Sequence, residues 1–376
     1  MVEIYSIVCL LCTGVYLLVL LYLATGWAKL KRPQLKTSNF TTKVTVMIAA
    51  RNEAERIHLT IEDILAQNYP KELTEIIIVD DHSTDRTAEI ISSYADRGVQ
   101  LLQLNEAEPL NSYKKKAIAK AIDLSTGELM VATDADCRMG TQWLSSIVGY
   151  YEAEHPVMIS SPVVYFEDKS LFERMQVLEF GYLIGIGAAF IGHNRASTCN
   201  GANFAYRKDV FYEVGGFAGI DELASGDDEL LLQKVAVKYQ NKIGFLKLSE
   251  AVVYTHAKAS LKEFLQQRRR WASKSTKYKD KKVVAFVLSI WFFNLSMVLN
   301  ALLGFYDAYF FKLFLIQVLL KVTFEIGFLI PITRFIKRPL LVFLMPLISP
   351  IHTLYMVYIG LMSSSKQYIW KGRLVK

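Results

Sequence analysis

Glu75-Ile76-Ile77-Ile78-Val79-Asp80-Asp81-His82-Ser83-Thr84-Asp85 is the stretch on which the fold turns. Its first half is a short, unbroken apolar run, the pattern of a buried strand. Its second half is a turn rich in helix-capping residues, and residues 86–94 then read as a helix. The same alternation extends outward in both directions. Upstream, residues 44–49 read as a strand and 53–67 as a helix. Downstream, residues 99–104 read as a third strand and 114–124 as a third helix, closed by Ser125-Thr126-Gly127. Residues 129–133 read as a fourth strand. Repeated strand–helix units of this length predict a parallel sheet with helices on both faces, an α/β architecture. Such sheets bind ligands at the carboxyl ends of their strands. The polar clusters Arg51-Asn52-Glu53, Asp80-Asp81 and Asp134-Ala135-Asp136 all fall at those ends.

Each cluster has a chemical and a structural reading. Asp134 and Asp136, one residue apart at a strand end, suit a divalent metal bridging carboxylates to diphosphate oxygens. An Asx turn or helix cap would also account for them. Asp80 and Asp81 can accept hydrogen bonds from a base or ribose, or cap the next helix. Lys114, Lys115 and Lys116 open a helix and suit a diphosphate; a solvated basic run is the alternative. Gly226-Asp227-Asp228-Glu229 opens a further helix, where acidic residues are favoured by the helix dipole. The run exceeds what capping needs, and one of these carboxylates is a candidate general base for an acceptor hydroxyl. Gln267-Arg268-Arg269-Arg270-Trp271 is a basic helical segment that suits anionic lipid or a diphosphate.

The ends of the chain differ from this middle. The 376 residues are 52% hydrophobic, and the excess is concentrated terminally. Residues 4–27 form an almost uninterrupted apolar run, long enough to cross a bilayer. No basic residue precedes it, which disfavours a signal peptide. Lys29, Lys31 and Arg32 follow it, so the positive-inside rule places the middle of the chain in the cytoplasm. Residues 283–304, 308–330 and 340–362 are further candidate spans. The second carries Lys321 and Glu325, four apart and so on one helix face, able to pair. The third contains Pro346 and Pro350. Counting full spans would put the tail outside, whereas Lys366, Lys371, Arg373 and Lys376 favour inside; a re-entrant or interfacial arrangement around the prolines reconciles the two. Residues 171–191 are also apolar, either as a buried helix or at the membrane interface. The formal net charge is +7, with its lysines and arginines gathered at membrane edges, which argues against a nucleic-acid partner. Cys9, Cys12, Cys137 and Cys199 form no staple pattern and read as reduced thiols.

Taken in order, Ala50-Arg51-Asn52-Glu53, Val79-Asp80-Asp81, Asp134-x-Asp136, Asn200-Gly201-Ala202-Asn203, Gly215-Gly216-Phe217, Asp227-Asp228 and Gln267-x-x-Arg270-Trp271 resemble the family 2 glycosyltransferases. The resemblance covers residues 43–277. It implies the GT-A fold, a Rossmann-like, mostly parallel sheet, over residues 43–257. Residues 1–28 would be the anchor, 258–282 an amphipathic interfacial segment, and 283–376 a membrane region with a basic tail. The resemblance further implies nucleotide-sugar binding by Ala50, Arg51, Glu53, Asp80, Asp81, Lys114, Lys115, Asp134, Gln267, Arg270 and Trp271. Asp136 would bind Mg2+ or Mn2+. Asp228, with Asp227, would stand where the family has its catalytic Glu-Asp pair, and Gly201 and Asn203 would face the acceptor. The commoner Gly-Lys-Gly pattern is altered here, with Tyr113 in the first glycine's place, so the lysine that meets phosphate stays open.

The expected activity is inverting transfer from a nucleotide-sugar, a UDP-sugar by family default, to a lipid acceptor at a bacterial-type inner membrane. The arrangement resembles the enzymes that glycosylate ceramides or carotenoids. A processive polysaccharide synthase is the alternative, because Q-x-x-R-W is frequent there. An inactive nucleotide-sugar-binding membrane protein is the alternative of another class.

Overall fold

A computed structural model describes residues 2–105, 112–223, 225–273, 281–362, 368–370 and 373–375. The chain divides into two compact units. One comprises Met1–Ala28, Asp168–Gly185 and Lys258–Tyr368, and the other Lys29–Glu167, Ile186–Ala257 and Ile369–Lys376. The chain opens with α1 (Val2–Lys29). There follow β1 (Val44–Ala50), α2 (Ile57–Leu65), β2 (Thr74–Asp80), α3 (Thr87–Ser92) and β3 (Val99–Gln103). Next come α4 (Tyr113–Leu124), β4 (Leu129–Asp134), β5 (Arg138–Met139), α5 (Trp143–Glu154), β6 (Met158–Ser160) and β7 (Val163–Tyr165). After α6 (Leu171–Gly192) come β8 (Phe204–Arg207), α7 (Lys208–Glu213), α8 (Glu229–Tyr239), β9 (Ile243–Phe245) and β10 (Val253–Thr255). The remainder is α9 (Leu261–Ser273), α10 (Lys281–Leu303), α11 (Ala308–Phe335), α12 (Met345–Met362) and the short strands β11 (Tyr368–Trp370) and β12 (Arg373–Val375).

The α/β unit is built on a seven-stranded sheet ordered β3-β2-β1-β4-β8-β6-β9. Val46, Ile48, Ile77, Ile78, Val79 and Val131 are almost fully buried in its first strands. Continuous apolar runs of this kind belong to strands covered on both faces. β1 pairs in parallel with β2 and β4, and the register sets Ala50 beside Asp80 and Ala49 beside Asp134. Strand ends that were separate in sequence therefore meet along one edge. The sheet is not parallel throughout. β8 runs antiparallel to both β4 and β6. Its chain enters at the carboxyl end of β4, where Phe204 pairs with Ala132, so it can only run back. A second sheet of three strands is ordered β5-β10-β7.

The helix expected from Glu53 begins later, at Ile57. Asn52 takes a left-handed φ of 50°, which no helix accommodates. The amides of Arg56 and Ile57 then close a turn onto the Glu53 carbonyl, each at 2.9 Å.

In the helical unit, α1 and α11 run the same way. Ser6 meets Tyr309, Thr13 meets Gln317, Tyr16 meets Glu325 and Trp27 meets Phe335, in rising order along both helices. α10 runs the opposite way, with Asn300 at Tyr5 and Phe293 stacked on Tyr16. The core between these helices is partly polar. Gln317 Nε2 donates to Thr13 and Ser296, both at 3.0 Å, while Asn300 donates to Gln317 at 2.9 Å. Lys321 and Glu325 pair at 2.6 Å and are fully buried, and Tyr16 donates to the same carboxylate at 2.6 Å. Polar side chains in such helices persist where they satisfy one another.

Among the described residues, five helices are long and apolar enough to cross a membrane: α1, α6, α10, α11 and the stretch Pro339–Met362. The stretch 171–191 thus forms a single helix of spanning length and composition. Pro350 lies inside α12, and Pro346 in its first turn. Lys277, Lys279, Lys366, Lys371 and Lys376 lie outside the described residues. No disulfide joins the four cysteines.

Candidate active site

The edge where β1, β2 and β4 end carries the first group of site residues. The Ala50 carbonyl accepts the Asp81 amide at 2.8 Å. Arg51 donates to the carbonyls of Asp81 and His82 at 2.8 and 2.9 Å, so its guanidinium binds the two strand-end loops together. The Glu53 amide donates to Thr87 Oγ1 at 2.8 Å, tying the same turn to the start of α3. Asp81 is buried and its carboxylate meets His82 Nδ1 at 3.1 Å. Asp80 differs. It is 3% exposed, one oxygen accepts the Ser83 amide at 3.3 Å, and Oδ1 is buried with no protein partner. A buried acceptor without a donor is costly, and a ligand N–H or hydroxyl supplies what is missing.

The second group converges from β4, α4 and the start of α8. Lys114 Nζ lies 2.8 Å from Asp134 Oδ1 and 3.1 Å from Asp227 Oδ2. Burial by itself would lower the pKa of this lysine. The carboxylates of Asp134, Asp227 and Asp228 more than reverse that and hold it charged, well above the ordinary range. Asp228 is the N-cap of α8. Its Oδ1 accepts the Glu229 amide at 2.6 Å, and its Oδ2 accepts the Gly201 amide at 2.8 Å. Gly201 eases that approach, because a Cβ there would lie a tight 3.2 Å from Asp228 Cβ and 3.4 Å from Asp227 Oδ2. Gly226, with φ +84°, gives the left-handed bend that presents both aspartates. Tyr206 lies beneath. Burial, and then the nearby Asp227 charge, push its hydroxyl pKa up, so it stays a neutral donor.

The structure gives two expected site residues other work. Lys115 is 2% exposed and donates to the carbonyls of Leu223 and Ser225, the latter at 2.7 Å. It anchors the loop that leads into Asp227, while Lys114 meets the carboxylates. One helix residue rotates the side chain by about 100°, so adjacent lysines cannot face the same ligand. Asn203 is fully buried. It accepts from Trp143 Nε1 at 2.9 Å and donates to the carbonyls of Pro162 and Ala251 at 2.8 and 2.7 Å. It stitches three segments of the core, and its amide is engaged in those bonds.

The residue set favours a cation without itself forming a metal cluster. The Lys114 ammonium already bridges carboxylates from two different elements, so the place between them favours positive charge. Among the described residues, no three His, Cys, Asp or Glu groups cluster as a ligand set. Asp136 is the residue expected to hold a divalent cation, which when bound would supply charge stabilisation to a diphosphate.

In the helical unit, α9 carries Gln267, Arg270 and Trp271. The most buried member of that run is Arg268, at 2% exposure. Its guanidinium forks onto the Glu179 carboxylate, Nε at 2.8 Å, and lies 4.3 Å from the Trp271 ring and 4.4 Å from that of Phe264. Phe180 stacks on Trp271 at 5.9 Å. The tryptophan ring expected at the nucleotide is thus packed by neighbours within its own unit. Nothing in the sequence distinguished Arg268 from Arg269 and Arg270, because helix position alone does not say which face is covered.

Residues 45–215 match the family described as Glycosyl transferase family 2. The chain is 26% identical over 179 residues to a glucosyl-dolichyl phosphate glucuronosyltransferase of Haloferax volcanii, a match covering 46% of this chain and 56% of that protein. It is 27% identical over 271 residues to a hyaluronan synthase of Streptococcus pyogenes, covering 69% of this chain and 62% of the relative. The chain thus spans less than two thirds of either relative's length. Among solved structures, it shares its fold with the mannosyltransferase PcManGT from Pyrobaculum calidifontis. The TM-score there is 0.63 at 18% identity, covering 93% of this chain and 99% of that one.

Proposed function

From a chain that carries a family 2 glycosyl transferase domain of GT-A fold, we propose an inverting membrane glycosyltransferase that moves a sugar from a nucleotide-sugar to a lipid acceptor. The observation that carries the reading is the convergence of Asp134, Lys114, Asp227 and Asp228 on one site at the carboxyl edge of the sheet. The mannosyltransferase of the same fold was solved with GDP-Man and Mn2+, which supports a nucleotide-sugar and a divalent metal here. The relative named for glucosyl-dolichyl phosphate supports a lipid-borne acceptor. Five helices of spanning length support a membrane location, and the basic run after α1 supports a cytoplasmic catalytic domain.

The residues divide the work as follows. Asp80 receives a donor from the nucleoside through its unpartnered oxygen. Lys114 leaves its carboxylates for the diphosphate, a charge-assisted contact. Asp228 is held in place by two backbone amides. It takes the proton of the acceptor hydroxyl, which then attacks the anomeric carbon and inverts it. A bound divalent metal supplies charge stabilisation for the departing diphosphate.

The match to hyaluronan synthase, longer than that to the lipid-sugar enzyme, favours processive synthesis as a second reading. The deciding experiment supplies UDP- and GDP-sugars with Mg2+ or Mn2+ and membrane lipid to the full-length protein, with products read by mass spectrometry. One sugar added to a lipid supports the first reading, and a ladder of repeating mass the second. Asp228→Asn is expected to lower transfer about 1,000-fold while leaving nucleotide affinity within about twofold; full activity in that variant overturns the assignment.

A further inference from the structure

The acidic turn after β4 is tied to α2. Cys137 donates its amide to the Asp134 carbonyl at 3.2 Å, which closes the turn around Asp136. The carbonyls of Ala135 and Cys137, one on each side of Asp136, both accept from Thr60 Oγ1 at 2.8 Å. A hydroxyl carries one proton, so the two carbonyls share it. Thr60 is fully buried and is the polar member of a face of α2 otherwise built from Ile57, Ile61 and Ile64. Inside a helix a threonine hydroxyl ordinarily bonds the carbonyl three or four residues back. This one reaches across to the turn instead. Two further side chains continue the contact. Asp63 takes the Arg138 guanidinium in a fork at 2.6 and 2.8 Å and accepts the Met139 amide at 3.0 Å. Gln67, just past the end of α2, donates to the Gly140 carbonyl at 3.0 Å and accepts the Leu144 amide at 2.9 Å. Thr60, Asp63 and Gln67 are three and four residues apart, so they follow one line along the helix. Their partners advance the same way, from the acidic turn to the start of α5.

Asp63 and Gln67 account for how the chain leaves the turn and enters α5. Thr60 acts at a different point. Valine has nearly the same shape and would complete the isoleucine face, so packing alone does not call for a hydroxyl here. The hydroxyl adds a fixed orientation of two peptide planes, one before Asp136 and one after it. We propose that Thr60 is a positioning residue for Asp136, setting the turn in the form that Asp136 needs to hold a divalent cation when a nucleotide diphosphate binds. It works through the backbone of the turn and not on the donor itself. The inference rests on the transferase reading and deepens its donor side.

The test measures binding rather than turnover. Isothermal titration calorimetry on the full-length protein in detergent reads its affinity for UDP and for GDP, once in EDTA and once in Mn2+. In the wild type, Mn2+ is expected to tighten the binding of at least one of them. Thr60→Val should cut that gain about tenfold while leaving the metal-free affinity within about twofold. Thr60→Ser, which keeps the hydroxyl, should restore the gain. Asp63→Asn weakens the same segment without touching the hydroxyl, so it should lower the melting temperature and keep the gain. Where the valine variant does not fold, Thr60→Cys retains the size and only a weak donor, and should cut the gain about threefold. A full Mn2+ gain in Thr60→Val, or an equal loss of affinity with and without metal, overturns the positioning role while the transferase reading stands. So does a wild type that binds a nucleotide and gains nothing from Mn2+. A protein that binds neither nucleotide overturns the transferase reading, and the positioning role with it.

Discussion

Lys114 is the residue on which the site balances. It neutralises two carboxylates that would otherwise repel one another across a few ångströms. Replacing it with methionine leaves Asp134 and Asp227 facing each other and removes a cation from the diphosphate's place. Lys114→Met is expected to raise the KM for the nucleotide-sugar about tenfold, the scale of one charge-assisted bond, read from initial rates against donor concentration. The convergence of these aspartates is only half legible in the sequence, because Asp at a strand end or before a helix also serves as a turn or cap residue. The assignment among Lys114, Lys115 and Lys116 is not legible there. It depended on what covers each face of α4, and the carbonyls of Leu223 and Ser225 take up the buried Lys115 instead. Asn203 was misread for a similar reason. An Asn-Gly-x-Asn run looks like a polar loop, yet its last side chain satisfies the carbonyls of two distant segments and the indole of Trp143.

At the scale of elements, strands β1 to β4 were readable because a strand buried on both faces needs an unbroken apolar run. The antiparallel β8 was not, since Phe204–Arg207 has the composition of any short buried strand. A different contact fixes α5. Glu152 near its end accepts the amides of Thr41 and Thr42 at 2.8 and 2.9 Å and pairs with Lys36 at 2.6 Å, clamping the segment that precedes β1. Burial would raise its pKa, but the Lys36 bond and the two amides depress it from 4.5 to about 2. A carboxyl whose folded pKa lies below its unfolded value stabilises the fold above the unfolded pKa. That contribution is lost as pH falls through the folded one. Glu152→Gln should therefore lower the melting temperature at neutral pH. The gap to wild type should start closing near pH 4.5 and vanish by about pH 2. A gap constant across that range would refute the clamp.

At the scale of the whole molecule, the membrane-type helices are held by polar groups as well as by packing. The Lys321–Glu325 pair is completely enclosed and joined by Tyr16. Removing one partner of such a pair leaves an uncompensated charge, at a cost of roughly 3–5 kcal/mol, whereas removing both is often tolerated. Lys321→Met is expected to lower the melting temperature in detergent sharply, and Lys321→Met with Glu325→Leu to recover most of the loss. Equal losses in the single and double variants would refute an uncompensated charge as the cause of the loss. The sequence by itself determined the alternating α/β core, the apolar helices at the ends and the order of the acidic clusters. Each of these follows from local periodicity and from which side chains water rejects. Only the tertiary structure decided which clusters meet and which lysine faces them. Those are facts of register and of which helix face is covered, and they depend on contacts between residues far apart in the chain.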